Sequence, residues 1–261
     1  MHKTILITGS TDGIGLLTAK KPSMQGHQVL LHGRSKAKLS QAVAEIGQVA
    51  SFCADLSHMK EVKKLANDVR AHCKHLDVLI NNAGVLKSAE TRTRAGRDIR
   101  FDVNTIAPYI LTQNLLPIMP ADGRVINLSS AAQAPVNIDS LVAHRPMSDM
   151  DAYAQSKLAI TIWSQEMAKA MPDGPIFVAI NPGSKLATKM VKEGFGVDGR
   201  DLNIGANIIF RAAVSKDFEA SSGKYFDNDR GDFVLPHQAS RDQSQVKGVM
   251  HALSEISHST F

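Results

Sequence analysis

Short apolar runs alternate with amphipathic stretches from one end of the chain to the other. Continuous apolar runs bounded by glycine or polar residues read as buried strands. They fall at Thr4–Thr8, Gln28–His32, Val49–Ala54, Val78–Asn81, Arg124–Ser129, Ile176–Asn181 and near Lys224–Phe226. Between them the spacing is helical. Val62, Leu65, Ala66 and Val69 share one face of Met59–Cys73, and Ile160, Trp163, Met167 and Ala170 continue a helix that begins near Tyr153. Ala239–Ser257 closes the chain as an amphipathic helix through Val246, Val249, Met250, Leu253 and Ile256, fit to pack on the body or on a second subunit. With no linker and no repeat, the alternation predicts one α/β domain over residues 1–261, a doubly wound parallel sheet covered on both faces. One local conflict stands in the first helix, expected from about Gly13 to Gln25: Pro22 lies inside it. A mid-helix proline costs about 3 kcal/mol, so the helix is expected to end early or kink.

Composition narrows the class. Apolar residues make up 43% of 261, enough for a full core. The net charge of +5 is scattered, with no cationic block, which argues against a nucleic-acid surface and suits a phosphorylated small ligand. Two cysteines, Cys53 and Cys73, exclude a disulfide framework and a Cys-based zinc site and fit a reducing compartment, the cytoplasm. The ten histidines show no His-Glu-x-x-His spacing, so no metal is expected. Lys3–Thr8 runs straight into a glycine turn and no apolar stretch reaches spanning length, so neither a leader nor a membrane anchor is expected.

The first chemical signal is Thr8-Gly9-Ser10-Thr11-Asp12-Gly13-Ile14-Gly15 after the first strand. Glycines let backbone approach a pyrophosphate at a helix N-terminus, although the same residues also fit a plain glycine-rich turn. At the end of the second strand, Leu31-His32-Gly33-Arg34-Ser35 carries no acid for a ribose 2′-hydroxyl. Arg34, with Ser35 and Lys38 nearby, suits a 2′-phosphate and favours NADP(H) over NAD(H); a surface arginine at a strand end is the plainer alternative. The second signal is Tyr153-Ala154-Gln155-Ser156-Lys157. A tyrosine and a lysine four apart share a helix face, and an adjacent ammonium lowers a phenol pKa toward neutrality, where it can exchange a proton with a carbonyl or alcohol.

In this order and spacing the residues resemble the short-chain dehydrogenase/reductase family over nearly the whole chain. The likeness rests on Thr8-Gly9-x-x-x-Gly13-x-Gly15, Asp55-Leu56, Asn81-Asn82-Ala83-Gly84, Asn104, Ser129-Ser130, Tyr153-x-x-x-Lys157 and Asn181-Pro182-Gly183. It implies a Rossmann-type fold and a set of roles. Tyr153 is the general acid/base. Lys157 holds the nicotinamide ribose and depresses the Tyr153 pKa. Ser130 steadies the substrate carbonyl oxygen, with Ser129 as the substitute if the register differs by one. Asn104 supports a water-linked proton relay to Lys157. The resemblance puts Gly9, Ser10, Thr11, Asp12, Gly13, Ile14, Gly15, Arg34, Ser35, Asp55, Leu56, Asn82, Ala83, Gly84, Pro182, Gly183 and Thr188 around the cofactor. Taken singly, Asp55 also reads as a turn residue, Asn104 as a satisfied core amide, and the serines as a strand end. The family usually uses the helix from Tyr153 to Met171 as its subunit interface, which implies a homodimer or homotetramer.

Two departures bear on substrate. Ser130 and Tyr153 are 23 positions apart, more than in the shorter members. The additional segment, about 135–150, resembles that of the retinol-dehydrogenase-like and protochlorophyllide-reductase-like branches, many of which act on bulky apolar carbonyls. After Pro182-Gly183, Thr188 stands one position later than the family's carboxamide-binding threonine, leaving Ser184 as an alternative. Residues 184–203 read as a substrate lid; within it the stretch Lys189–Gly199 carries Met190, Val191, Phe195 and Val197 as an apolar inner face. The expected activity is hydride transfer between NADP(H) and a small-molecule carbonyl or alcohol. A catalytically silent NADP(H)-binding sensor or scaffold, or a C=C reductase on the same fold, are the rival readings.

Overall fold

The computed structural model describes residues 2–47, 49–188, 190, 192, 196 and 198–259. Eight strands form one sheet in the order β3-β2-β1-β4-β5-β6-β7-β8. They are β1 (Thr4–Ile7), β2 (Gln28–Gly33), β3 (Ala50–Cys53), β4 (Val78–Asn81), β5 (Arg124–Leu128), β6 (Ile176–Asn181), β7 (Tyr225–Asp227) and β8 (Asp232–Val234). The main helices are α1 (Gly13–Met24), α2 (Lys36–Ile46), α3 (Met59–His72), α4 (Ala107–Leu115), α5 (Ile138–Val142), α6 (Asp149–Ala170), α7 (Leu202–Val214) and α8 (Gln243–Ser259).

Alternate strand residues serve opposite cores, as the period of two requires. On β1, Leu6 joins Leu65, Ile110, Leu158 and Trp163 on the face covered by α3, α4, α6 and α8. Its neighbours Ile5 and Ile7 join Ala19, Leu39 and Ile208 on the face covered by α1, α2 and α7. Every residue of β4 and β5 is buried, so these strands do not alternate apolar with exposed polar positions, and their polar members Asn81, Arg124 and Asn127 are buried too. Strand order reverses between β1 and β4, and an open crevice at the carboxyl ends of the strands is the expected ligand site there.

The sheet departs from all-parallel at one edge. β7 turns through Asp227–Gly231 and returns as β8, antiparallel, with Phe226 opposite Phe233. Phe218, Phe226 and Phe233 pack ring against ring at 5.1–5.3 Å and fasten this edge. Pro22 does not end α1, which runs to Met24. It stands in the last turn, so only the Thr18 carbonyl loses a donor, and the amides of Gln25 and His27 close the helix on the Pro22 carbonyl.

The C-terminal helix packs on the body: Val246, Val249, Leu253 and Ile256 join the core that contains Leu158 and Trp163. The additional segment lies mostly against α8, and its last residue, Met150, reaches the crevice. Gln245 bonds both the amide and the carbonyl of Val136, and His144 N donates to Gly96 O. Between them these elements enclose α6, whose residues Ser156 to Ser164 are all buried. A helix buried on every side has no free face for a partner. The subunit interface expected from the resemblance is therefore not available in the middle of α6.

Candidate active site

A cleft of about 550 Å³ follows the carboxyl ends of the strands across the switch between β1 and β4. Its floor at one end is the glycine turn. Gly9 and Gly13 hold φ of 64° and 53°, a conformation open to glycine and strained for other residues. A Cβ on Gly9 would stand 2.9 Å from Ala83 Cα, and one on Gly15 would stand 2.2 Å from Gly9 O. A Cβ on Gly13 would meet nothing within 4 Å, so this glycine opens onto the cleft at the α1 N-terminus, where an anionic group is stabilised. Thr11, Asp12 and Ile14 line the same wall. Asn82 braces the turn through Nδ2 to Thr8 O (2.8 Å) and Gly9 O (3.1 Å), while Ala83 N donates to Thr8 Oγ1.

Two residues expected at the cofactor lie outside the cleft lining. Ser10 is buried and exchanges bonds with the His32 backbone, its Oγ accepting from His32 N at 3.0 Å. Ser35 caps α2, its Oγ accepting from Lys38 N. The turn directs Ser10 inward and the helix start engages Ser35, so both shape the wall from behind. His32 itself was not singled out, yet it lines the cleft and is buried. The signal was a lone polar residue closing the apolar run Val29-Leu30-Leu31.

Around the next strand ends, Arg34 is exposed and lines the cleft near Asp55. Burial acts to raise the Asp55 pKa, but the bonds from Ser57 and the charges of His58 and Arg34 outweigh it and hold the carboxyl below its usual value. Leu56 is a buried part of the same wall. Lys38 Nζ pairs with Asp12 Oδ2 at 2.9 Å across the mouth.

At the other end, Ser130, Tyr153 and Lys157 share the cleft. The Ser130 side chain is the polar group that acts on the Tyr153 phenol. Ser129 is committed elsewhere: its Oγ bonds Lys157 O (3.0 Å) and Thr161 Oγ1 (2.7 Å), tying β5 to α6. Geometry therefore brings Ser130, not Ser129, to Tyr153. Lys157 is buried, donates from Nζ to Leu128 O at 2.6 Å, and lies 5.5 Å from the Tyr153 ring centroid.

The expected lowering of the tyrosine pKa is not what this site does. Burial pushes Tyr153 up, opposed by the Ser130 side chain, and the same burial brings Lys157 down to about 7. A lysine half discharged near neutrality exerts little pull on a phenol. Asn104 does not line the cleft either. It sits in a wide π turn, Asp102–Ile106, after the helical turn Ile99–Phe101. Its Oδ1 accepts from Val85 N (2.8 Å) and its Nδ2 donates to Val85 O and Ser156 Oγ (both 2.9 Å). Gly84 lies between, where a Cβ would stand 3.4 Å from Asn104 Oδ1 and 3.5 Å from Lys157 Nζ.

Pro182, Gly183, Ser184 and Thr188 all reach the cleft. Ser184 is held by Asp229, which accepts from its amide (3.0 Å) and its hydroxyl (2.5 Å). Of the expected lid face, Met190 lines the cleft, while Val191, Phe195 and Val197 lie outside the described residues. Among the described residues there is no cluster of three metal-ligating side chains, and no helix is long and apolar enough to cross a membrane.

Residues 3–195 match the short chain dehydrogenase family model. The chain belongs to the short-chain dehydrogenase family. This short-chain dehydrogenase is an oxidoreductase, similar to retinol dehydrogenase 12 of mouse, with 32% identity over 86% of this chain and 77% of the relative. It is likewise similar to human polyprenol dehydrogenase, at 29% identity over 87% of this chain and 77% of the relative. A solved protein from Mycobacterium paratuberculosis superposes with a TM-score of 0.82 over 98% of this chain and 93% of its own, at 25% identity. A Shigella flexneri short-chain dehydrogenase solved with NADP superposes with a TM-score of 0.69 over 87% of this chain and 97% of its own, at 26% identity. In this dehydrogenase Leu86, Val103, Met150, Leu186 and Met190 contribute apolar side chains to the cleft lining.

Proposed function

We propose that this short-chain dehydrogenase uses NADP(H) in preference to NAD(H) to interconvert a carbonyl and an alcohol, with Tyr153 as general acid/base. The observation that carries the reading is that Ser130, Tyr153 and buried Lys157 line one cleft whose far end is the glycine turn. A bound nicotinamide dinucleotide supplies or accepts the hydride. The residues present fit such a group: the open Gly13 at a helix N-terminus suits its pyrophosphate, Arg34 a 2′-phosphate, and Asp55 with Leu56 the adenine. Asn82, Ala83, Gly84, Pro182, Gly183 and Thr188 border the remaining length.

Burial keeps Tyr153 protonated, so it is ready to give its proton to a carbonyl oxygen, and it takes the proton back when an alcohol is oxidised. Ser130 donates to the same oxygen and steadies its developing charge. Lys157, at about 7, is able to hand on or receive a proton near neutral pH. Asn104 spends its side chain on Val85 and Ser156, and so sets the floor beneath Lys157.

An apolar substrate is supported by the wall of Leu86, Val103, Met150 and Met190, and by relatives named for retinol and polyprenol. A homodimer or homotetramer has to use a face other than Ser156–Ser164. The first test is a thermal-shift titration with NADPH and NADH in parallel, followed by a screen of apolar aldehydes and ketones in the presence of the better cofactor. Stabilisation at much lower NADPH concentration supports the reading. No shift with either nucleotide overturns it.

A further inference from the structure

Three strand ends meet at one buried side chain under the adenosine end of the cleft. His32 is the penultimate residue of β2, Gly9 lies two residues past β1, and Ala54 directly follows β3. His32 Nδ1 accepts from Gly9 N at 3.2 Å, and Nε2 lies 3.1 Å from Ala54 O. The two bonds require one form of the ring, neutral with the proton on Nε2. Burial brings the imidazole down to about 4, which keeps that form in place at neutral pH. The main chain of His32 is engaged as well: Ser10 N donates to His32 O at 2.9 Å, and His32 N donates to Ser10 Oγ at 3.0 Å. Gly9, His32, Ala54 and Asp55 all border the cleft.

We propose that His32 is a positioning residue for the dinucleotide: its ring fixes the Gly9 amide and the Ala54 carbonyl, so that the glycine turn and Asp55 present one rigid surface to the adenosine half. This rests on the cofactor reading given above. A turn rich in glycine loses more freedom on ordering than any other sequence, so a site built on it binds weakly unless something else has already ordered it. Asn82 orders the turn from the β4 side, through the carbonyls of Thr8 and Gly9. His32 orders it from the β2 side, through the amide of the same glycine. The ring also couples the turn to Asp55, because Ala54 immediately precedes it. Loss of the ring leaves the Gly9 amide without its acceptor and frees the two walls to move separately.

The test uses three variants whose side chains divide the two bonds. Asparagine carries an amide oxygen at the position of Nδ1, and glutamine carries an amide nitrogen at the position of Nε2. His32→Ala loses both. Dissociation constants for NADPH and NADH are measured on each purified protein by nucleotide fluorescence, alongside the unliganded melting temperature and the cofactor KM and kcat. In His32→Ala both nucleotides weaken by about tenfold, the worth of one hydrogen bond, and KM for cofactor moves more than kcat. His32→Asn, which keeps the Gly9 bond, and His32→Gln, which keeps the Ala54 bond, each restore part of the affinity without reaching the wild type, because neither ties the two walls together. If His32→Ala does not fold, the asparagine and glutamine variants decide. Wild-type affinity in either of those two, or in His32→Ala, overturns the proposal while leaving the dehydrogenase reading intact. A wild-type protein that binds neither nucleotide overturns both.

Discussion

Lys157 reaches from the middle of α6 to the carbonyl of Leu128, the last residue of β5, and donates to it at 2.6 Å. The bond places a buried ammonium at the junction of strand and helix, and burial alone accounts for the fall of its pKa from 10.5 to about 7. In the unfolded chain the amine stays protonated to the higher value, so between the two values the unfolded state binds more protons and stability rises with pH. Below about pH 7 both states are charged and the full cost of burying the charge is present. Lys157→Met is therefore expected to raise the melting temperature of the unliganded protein by several degrees at pH 6, and by progressively less toward pH 10. Melting curves of both proteins across that range check it; a difference that does not change with pH contradicts it.

Tyr153→Phe removes the proton donor and leaves the ring in place beside Ser130. Turnover is expected to fall by about 10²–10⁴, the range for a positioned acid/base. Stabilisation by NADPH should persist, because the glycine turn and Arg34 lie at the other end of the cleft. Steady-state rates and a parallel thermal-shift titration separate the two effects. A variant that turns over like the wild type would sink the assignment.

Arg34→Asp replaces the cation near Asp55 with a second carboxylate. The ratio of kcat/KM for NADPH over NADH is expected to drop by about 10- to 100-fold, the worth of a charged hydrogen bond. If the ratio stays put, the 2′-phosphate is read elsewhere, and Lys38, now paired with Asp12, is the next residue to change.

Pro22→Ala restores a donor to the Thr18 carbonyl in the last turn of α1. Helix propensity favours the change by up to about 3 kcal/mol, offset by the proline's restriction of the unfolded chain and by loss of its buried ring. A net gain of about 1 kcal/mol, read as a rise of a few degrees in melting temperature, is expected. A fall would mean that the ring's packing outweighs the missing bond.

Strand positions were legible because a sheet covered on both faces leaves apolar runs, as in Val78–Ile80 and Ile176–Ile180. β8 was not, since Asp232–Val234 is too short to show a period. At the site, residue types were legible and orientations were not. Nothing in Ser129-Ser130 tells which hydroxyl the end of β5 turns toward Tyr153 and which it commits to α6. Ser10 faces inward because of left-handed Gly9 beside it, a backbone detail that a motif does not carry. The charge state of the Tyr153–Lys157 pair depends on burial in the folded protein, so helical spacing alone points the wrong way.

The enclosed stretch of α6 also contains Trp163, the chain's single tryptophan, buried with its ring edge-on to Tyr109 at 5.7 Å. It lies on the same helix as Tyr153 and Lys157, beneath the surface and outside the cleft lining. The protein therefore carries one intrinsic fluorophore, free of overlapping indole emission. Its wavelength and quenching report the packing of the helix that carries Tyr153 and Lys157, without a label and without altering either side chain.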